Sequence, residues 1–157
     1  MTAHRRYIAV KTLISVAING AISALMAWLV FGGRDRIPLG GGAGVLLDFV
    51  PQTFMIALMA VLVPTLITRS RVRAGRIALG SPPRLRLPGN LLLRALAVAL
   101  SATLVVGGSA ALLMYGLHPD MIAFHPLLWL KIVYGTGLAL LVTPIALAQA
   151  LADRRDR

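Results

Sequence analysis

Four apolar runs, at about residues 8–31, 48–67, 91–115 and 126–151, alternate with polar or glycine-rich connections along the chain. Each is long enough to cross a hydrocarbon layer of about 30 Å as a helix rising about 1.5 Å per residue. The pattern predicts an all-α membrane protein, with four transmembrane helices in an up-down bundle and one integral membrane domain over residues 1–157. Its two halves are weakly similar helical hairpins. In each, the second helix opens with Phe-x-Pro (Phe49 to Pro51, Phe124 to Pro126) and meets a later proline, Pro64 or Pro144. Those later prolines predict kinks, because each removes a ladder hydrogen bond and crowds the preceding turn. The proline spacings are 13 and 18 residues, so the match is loose. Such repeats would be parallel, which removes the inverted-repeat argument for a transporter.

Polar positions inside the runs fall on faces. At 100° per residue, Thr12, Ser15, Asn19 and Ser23 share an arc of about 80°, with Gly20 and Ala27 close by. That face suits helix packing, with Asn19 near mid-membrane as a second option for substrate contact. In the third run, Ala97 and Ser101, then Gly107 and Ala111, are small residues four apart, a spacing that favours close helix contact. In the second run Asp48, Gln52, Met55 and Met59 form one stripe, with Asp48 placed to act as an N-cap. Lys131 lies about five residues into the last run, roughly 7.5 Å along its axis. It can snorkel outward or pair with Asp48 or Asp120.

Charge sets the expected orientation. Thirteen basic residues fall in the N-terminal segment, the arginine-rich stretch from Arg69 to Arg94 and the C-terminal tail, against Arg34 and Arg36 on the other side. By the positive-inside rule the connection at 68–90 and both termini are cytoplasmic. Arg69, Arg71, Arg73, Arg76, Arg84 and Arg86 are expected to meet anionic head groups of the bilayer, and residues 69–79 to form a short amphipathic helix on the inner leaflet. Arg5 and Arg6 before the first run imitate a secretory n-region. That run is longer than a signal's 7–15 apolar residues and no polar cleavage region follows, so a first span is expected.

Composition narrows the class. The chain is 58% hydrophobic and 13% charged with a mean hydropathy of +0.83, too apolar for a water-soluble domain of 157 residues. The net charge of +11 therefore serves topology and lipid rather than nucleic acid. Fourteen arginines against two lysines, with no glutamate, point to a bacterial genome of high GC content, and so to the bacterial inner membrane as a multi-pass protein. No cysteine is present, which excludes disulfides, thiolate metal sites and cysteine nucleophiles.

Candidate chemistry gathers at the end opposite the arginines, where Asp48, Gln52, His118, Asp120, His125 and Lys131 should cluster. Imidazole with carboxylate can bind a divalent metal or act as acid and base. None of the diagnostic metal or catalytic spacings accompanies them, so no metal, cofactor or catalytic residue is assigned. The glycine-rich stretch from Gly32 to Gly44 lacks the Lys-Ser or Lys-Thr of a phosphate loop and reads as a flexible external connection. Ser15, Asn19, Ser23 and Gly107 remain the intramembrane polar and packing candidates. Two functions follow: a non-catalytic membrane component, either an accessory subunit or a small carrier, or else a membrane enzyme or metal-binding protein using the external His and Asp set. Homodimerisation or membership of a larger membrane complex is compatible with the small-residue faces.

Overall fold

The computed structural model describes residues 3–40, 44–78, 87–116 and 120–153. Four helical spans carry the chain across the membrane: α1 (Ala3–Phe31), α2 (Val45–Arg73), a third span made of α3 (Leu91–Ala102) and α4 (Gly108–Gly116), and α5 (Phe124–Ala152). The protein is a multi-pass membrane protein of all-α class. Three of the spans are 29 residues long, roughly 43 Å, so they overrun the hydrocarbon layer or cross it tilted.

The overrun changes the arginine connection. α2 continues past the expected end near Ile67 to Arg73, placing Arg69, Arg71 and Arg73 on the same helix as the span. No breaker interrupts it until Gly75, whose φ of +67 a side chain would disfavour, and the Ala74 N–H closes on the Ser70 carbonyl. Arg76 follows in the exposed turn. The separate amphipathic helix expected over residues 69–79 is therefore not formed: α2 ends at Arg73 and residues 74–78 are turn and bend, while Leu79, Arg84 and Arg86 lie outside the described residues.

Helix order was not contained in the pattern of runs. α1 packs on α5, α5 on α2, and α2 on α3, whereas α1 and α2 touch only briefly. Each later helix of a sequence hairpin is therefore inserted elsewhere in the row, and α5 becomes central. Small residues permit this. Ala57, Ala60, Ala95, Ala99, Leu138, Val142 and Ala146 form one buried cluster between α2, α3 and α5. The third span presents Ala95, Ala99 and Ala102 to α2, not the expected Ala97 and Ser101, and Ser101 is exposed. Beyond it, Thr103–Gly107 forms a π-helical turn, and the Thr103 hydroxyl donates to the Ala99 carbonyl at 2.8 Å. Pro64 and Pro144 sit inside continuous helices, each removing one backbone donor.

Opposite the arginines, the two connections pair with each other. β1 (Arg36–Pro38) runs antiparallel to β2 (Met121–Ala123), with Ile37 opposite Ile122. The stretch read as a flexible connection thus contains a strand that roofs one end. Ile37 is fully buried in a second cluster with Phe31, Val45, Phe49 and Leu127. Apolar burial fixes the register here, because a one-residue slip would turn Ile37 outward.

The α1–α5 seam is tight. At Gly20 a Cβ would lie 2.8 Å from the Thr136 methyl, and at Gly135 it would run into Ser23. Replacing Gly135 with valine is expected to cost about 1–3 kcal/mol by overpacking. Gly137→Ala, with open space around it, should be neutral or slightly stabilising. Thermal unfolding in detergent checks this, and equal midpoints for the two variants would contradict the tight seam.

Candidate functional site

Asp48 and Gln52 stand one turn apart in the first turns of α2, so both side chains leave the helix on one face. Gly44, not Asp48, is the N-cap of α2; the Asp48 carboxylate is instead the acceptor for the Lys131 ammonium. The same ammonium donates to the Gln52 amide oxygen at 2.6 Å. Lys131 is 1% exposed, in contrast to the snorkelling geometry that its shallow position allows. The strand roof supplies the reason. Ile37 packs over Phe31 and Phe49, and the ammonium lies 5.9 Å and 4.4 Å from those two ring centroids. Aromatic faces and one partly exposed carboxylate replace water around the cation.

The site continues inward through hydroxyls. Phe49 meets Tyr134 edge to face at 4.9 Å. Thr53 donates its single hydroxyl proton to the Phe49 carbonyl at 2.5 Å, so the Tyr134 hydroxyl, also 2.5 Å away, must donate to Thr53. Against Thr53 lies Gly107, where a Cβ would come within 3.0 Å of the hydroxyl oxygen. Gly107 thereby lets the third span reach this network. The Gln52 amide nitrogen is buried and finds no partner among the described residues.

Further along the α1–α5 seam the four polar residues of α1 are all buried. Ser15 bonds Thr143 across the seam at 2.9 Å, while Asn19 donates back to the Ser15 carbonyl at 2.8 Å. The Ser23 and Thr12 hydroxyls find no partner among the described residues. Nearer the arginine end, α1 is tied to α2 and the turn beyond it by Tyr7 to Thr68 at 3.1 Å and by His4 to the Ala78 carbonyl at 2.9 Å.

A second ionic cluster, not anticipated in the sequence, closes the arginine end. Arg94 is 1% exposed in the first turn of α3, behind the Asn90 cap. Its guanidinium grips both oxygens of Asp153, at 2.7 Å and 3.0 Å, and its Nε donates to the Pro88 carbonyl at 2.9 Å. Arg69 reaches the same carboxylate at 2.6 Å. Burial pushes the Asp153 carboxyl up, but hydrogen bonds and charge from Arg94 and Arg69 outweigh it, and its pKa falls below the ordinary carboxylate value. By position along the chain Arg94 counts with the arginines of the connection before it. The available signal was its position inside the run LLLRAL, where an arginine needs a partner.

Of the expected external set, the structure brings together Asp48, Gln52 and Lys131. Asp120 and His125 stay exposed, with the His125 ring edge-on to Phe124 at 5.9 Å, and His118 lies outside the described residues. Among the described residues no three His, Asp or Glu side chains converge as a metal site. No family model, curated protein or solved structure matches the chain.

Proposed function

We propose that this is a non-catalytic component of the bacterial inner membrane, an accessory subunit or small carrier, with both termini cytoplasmic. One observation supports it above others: Lys131 and Arg94, the deeply buried cations, are held by carboxylates from neighbouring helices. Groups used this way clasp α2 to α5 and α3 to the end of α5, rather than presenting an acid or base to a substrate. The arrangement as a row, with α1 and the third span each packed chiefly on one neighbour, also leaves two flanks for lateral partners. Purification from its native membrane in mild detergent is expected to retain a stoichiometric protein partner if it is a subunit, or a small-molecule cargo if it is a carrier. Recovery of the chain alone, with neither, would count against the proposal.

The second reading, a membrane enzyme or metal protein at the strand end, draws on the exposed Asp120 and His125. It requires bound metal or an activity that His125→Ala abolishes. Orientation has a separate test. Cysteines at Gly40 and Ala78, both exposed, should label with an impermeant reagent from the periplasmic and cytoplasmic sides respectively. Labelling from the reverse sides would overturn the assigned topology.

A further inference from the structure

Between α1 and α2, in the half of the bundle nearer the arginine end, a groove of about 250 Å³ is floored by Leu147 of α5. Ile14, Ile18 and Ile22 of α1 face Met59, Val63 and Ile67 of α2 across it. We propose that this groove seats one acyl chain of an anionic phospholipid, whose phosphate is held by Lys11.

Dimensions select the occupant. From Lys11 to Ile22 is about 16.5 Å along α1, close to half of a hydrocarbon layer of about 30 Å, the depth of one leaflet. A hydrocarbon chain roughly 4 Å across fills about 200 Å³ over that length. A helix about 10 Å across could not enter a space of this size and would lie over its rim, whereas an acyl chain can occupy it. Its end is closed where the Tyr7 hydroxyl meets Thr68, one turn below Lys11.

Charge selects the headgroup. Lys11 is half-buried in the groove lining, one turn inside its closed end, and Arg71 is exposed on α2 beyond that end, one turn from Ile67. Asp153, the described carboxylate at this end, is already held by Arg94 and Arg69. No described side chain neutralises Lys11 or Arg71, which leaves a lipid phosphate as the counter-ion that the groove itself positions. The α1–α2 opening results from the insertion of α5 between them, so the seat belongs to this helix order.

Native mass spectrometry of the detergent-solubilised protein tests the site, with phosphatidylglycerol and phosphatidylcholine of matched chains as probes. The expected result is one retained phosphatidylglycerol, preferred over phosphatidylcholine. Lys11→Gln should lower that preference about fivefold, with Lys11→Arg restoring it. Val63→Trp, which fills the groove from its lipid-exposed side, should remove both lipids, and Ile18→Trp serves if the first variant does not fold by circular dichroism. Glycerol phosphate, which lacks the chain, should not bind. Equal binding of glycerol phosphate would make this a surface anion site and overturn the proposal, as would lipid retention unchanged by Lys11→Gln and by the filled groove.

Discussion

Replacing Asp48 with alanine is expected to cost about 3 kcal/mol, because it strands the fully buried Lys131 ammonium beneath the strand roof. The value sits at the low end for a broken buried pair, since the Asp48 side chain is 30% exposed and its charge is partly screened already. That asymmetry makes an ordered prediction. Lys131→Leu should cost less than Asp48→Ala, as the remaining carboxylate can turn to water whereas the remaining ammonium cannot. Replacing both with leucine should recover most of the loss, because no uncompensated charge is left. At about 2–4 °C per kcal/mol for a chain of this size, Asp48→Ala should lower the unfolding midpoint by roughly 6–12 °C. Thermal unfolding of the three variants in one detergent measures this. Equal shifts for the two single variants, or an additive double variant, would mean that the pair does not act as a clasp.

Removing Asp153 should be more damaging still. Arg94 is buried and held in a two-point grip, so Asp153→Asn is expected to cost roughly 3–5 kcal/mol. Arg69→Ala should cost about 1 kcal/mol or less, because that guanidinium is 23% exposed and its loss leaves the Arg94 grip intact. The lowered pKa of Asp153 adds a pH signature. The unfolded carboxyl holds its proton more tightly than the folded one, so the stabilisation is complete above the unfolded value. It is lost as pH falls through the lower, folded value. Stability from this cluster should therefore be flat from neutral pH down to roughly pH 5 and decline only in stronger acid. Asp153→Asn should abolish its share of that acid decline. An unchanged acid limb in the variant would remove Asp153 from the account, whatever its midpoint.

These two clasps explain how a row of helices holds together where apolar burial contributes little. Between helices in lipid, leucine gains almost nothing by leaving the acyl chains, so association depends on close packing and on polar partners. Ala95, Ala99 and Ala102 supply the first along the middle of α3. Lys131 with Asp48, and Arg94 with Asp153, supply the second at opposite ends. Gly107 joins both devices, since its missing side chain admits Thr53 and the Tyr134 hydroxyl behind it.

The four spans, their helical class and their membrane setting were determined by the sequence alone, because run length and hydropathy are local properties and lipid admits few spanning structures. The shared polar face of Thr12, Ser15, Asn19 and Ser23 was legible for the same reason, as helical period places it without knowledge of its neighbour. Tertiary structure alone decided what that face meets, which helix is central and where the charges go. Asp48 could cap its own helix or accept from Lys131, and Asp153 could trail into solvent or bind Arg94. Nothing within ten residues of either distinguishes those outcomes. The choice is made by α5 entering between α1 and α2, and by Ile37 closing over the aromatic rings, which together exclude the water that Lys131 would otherwise have reached.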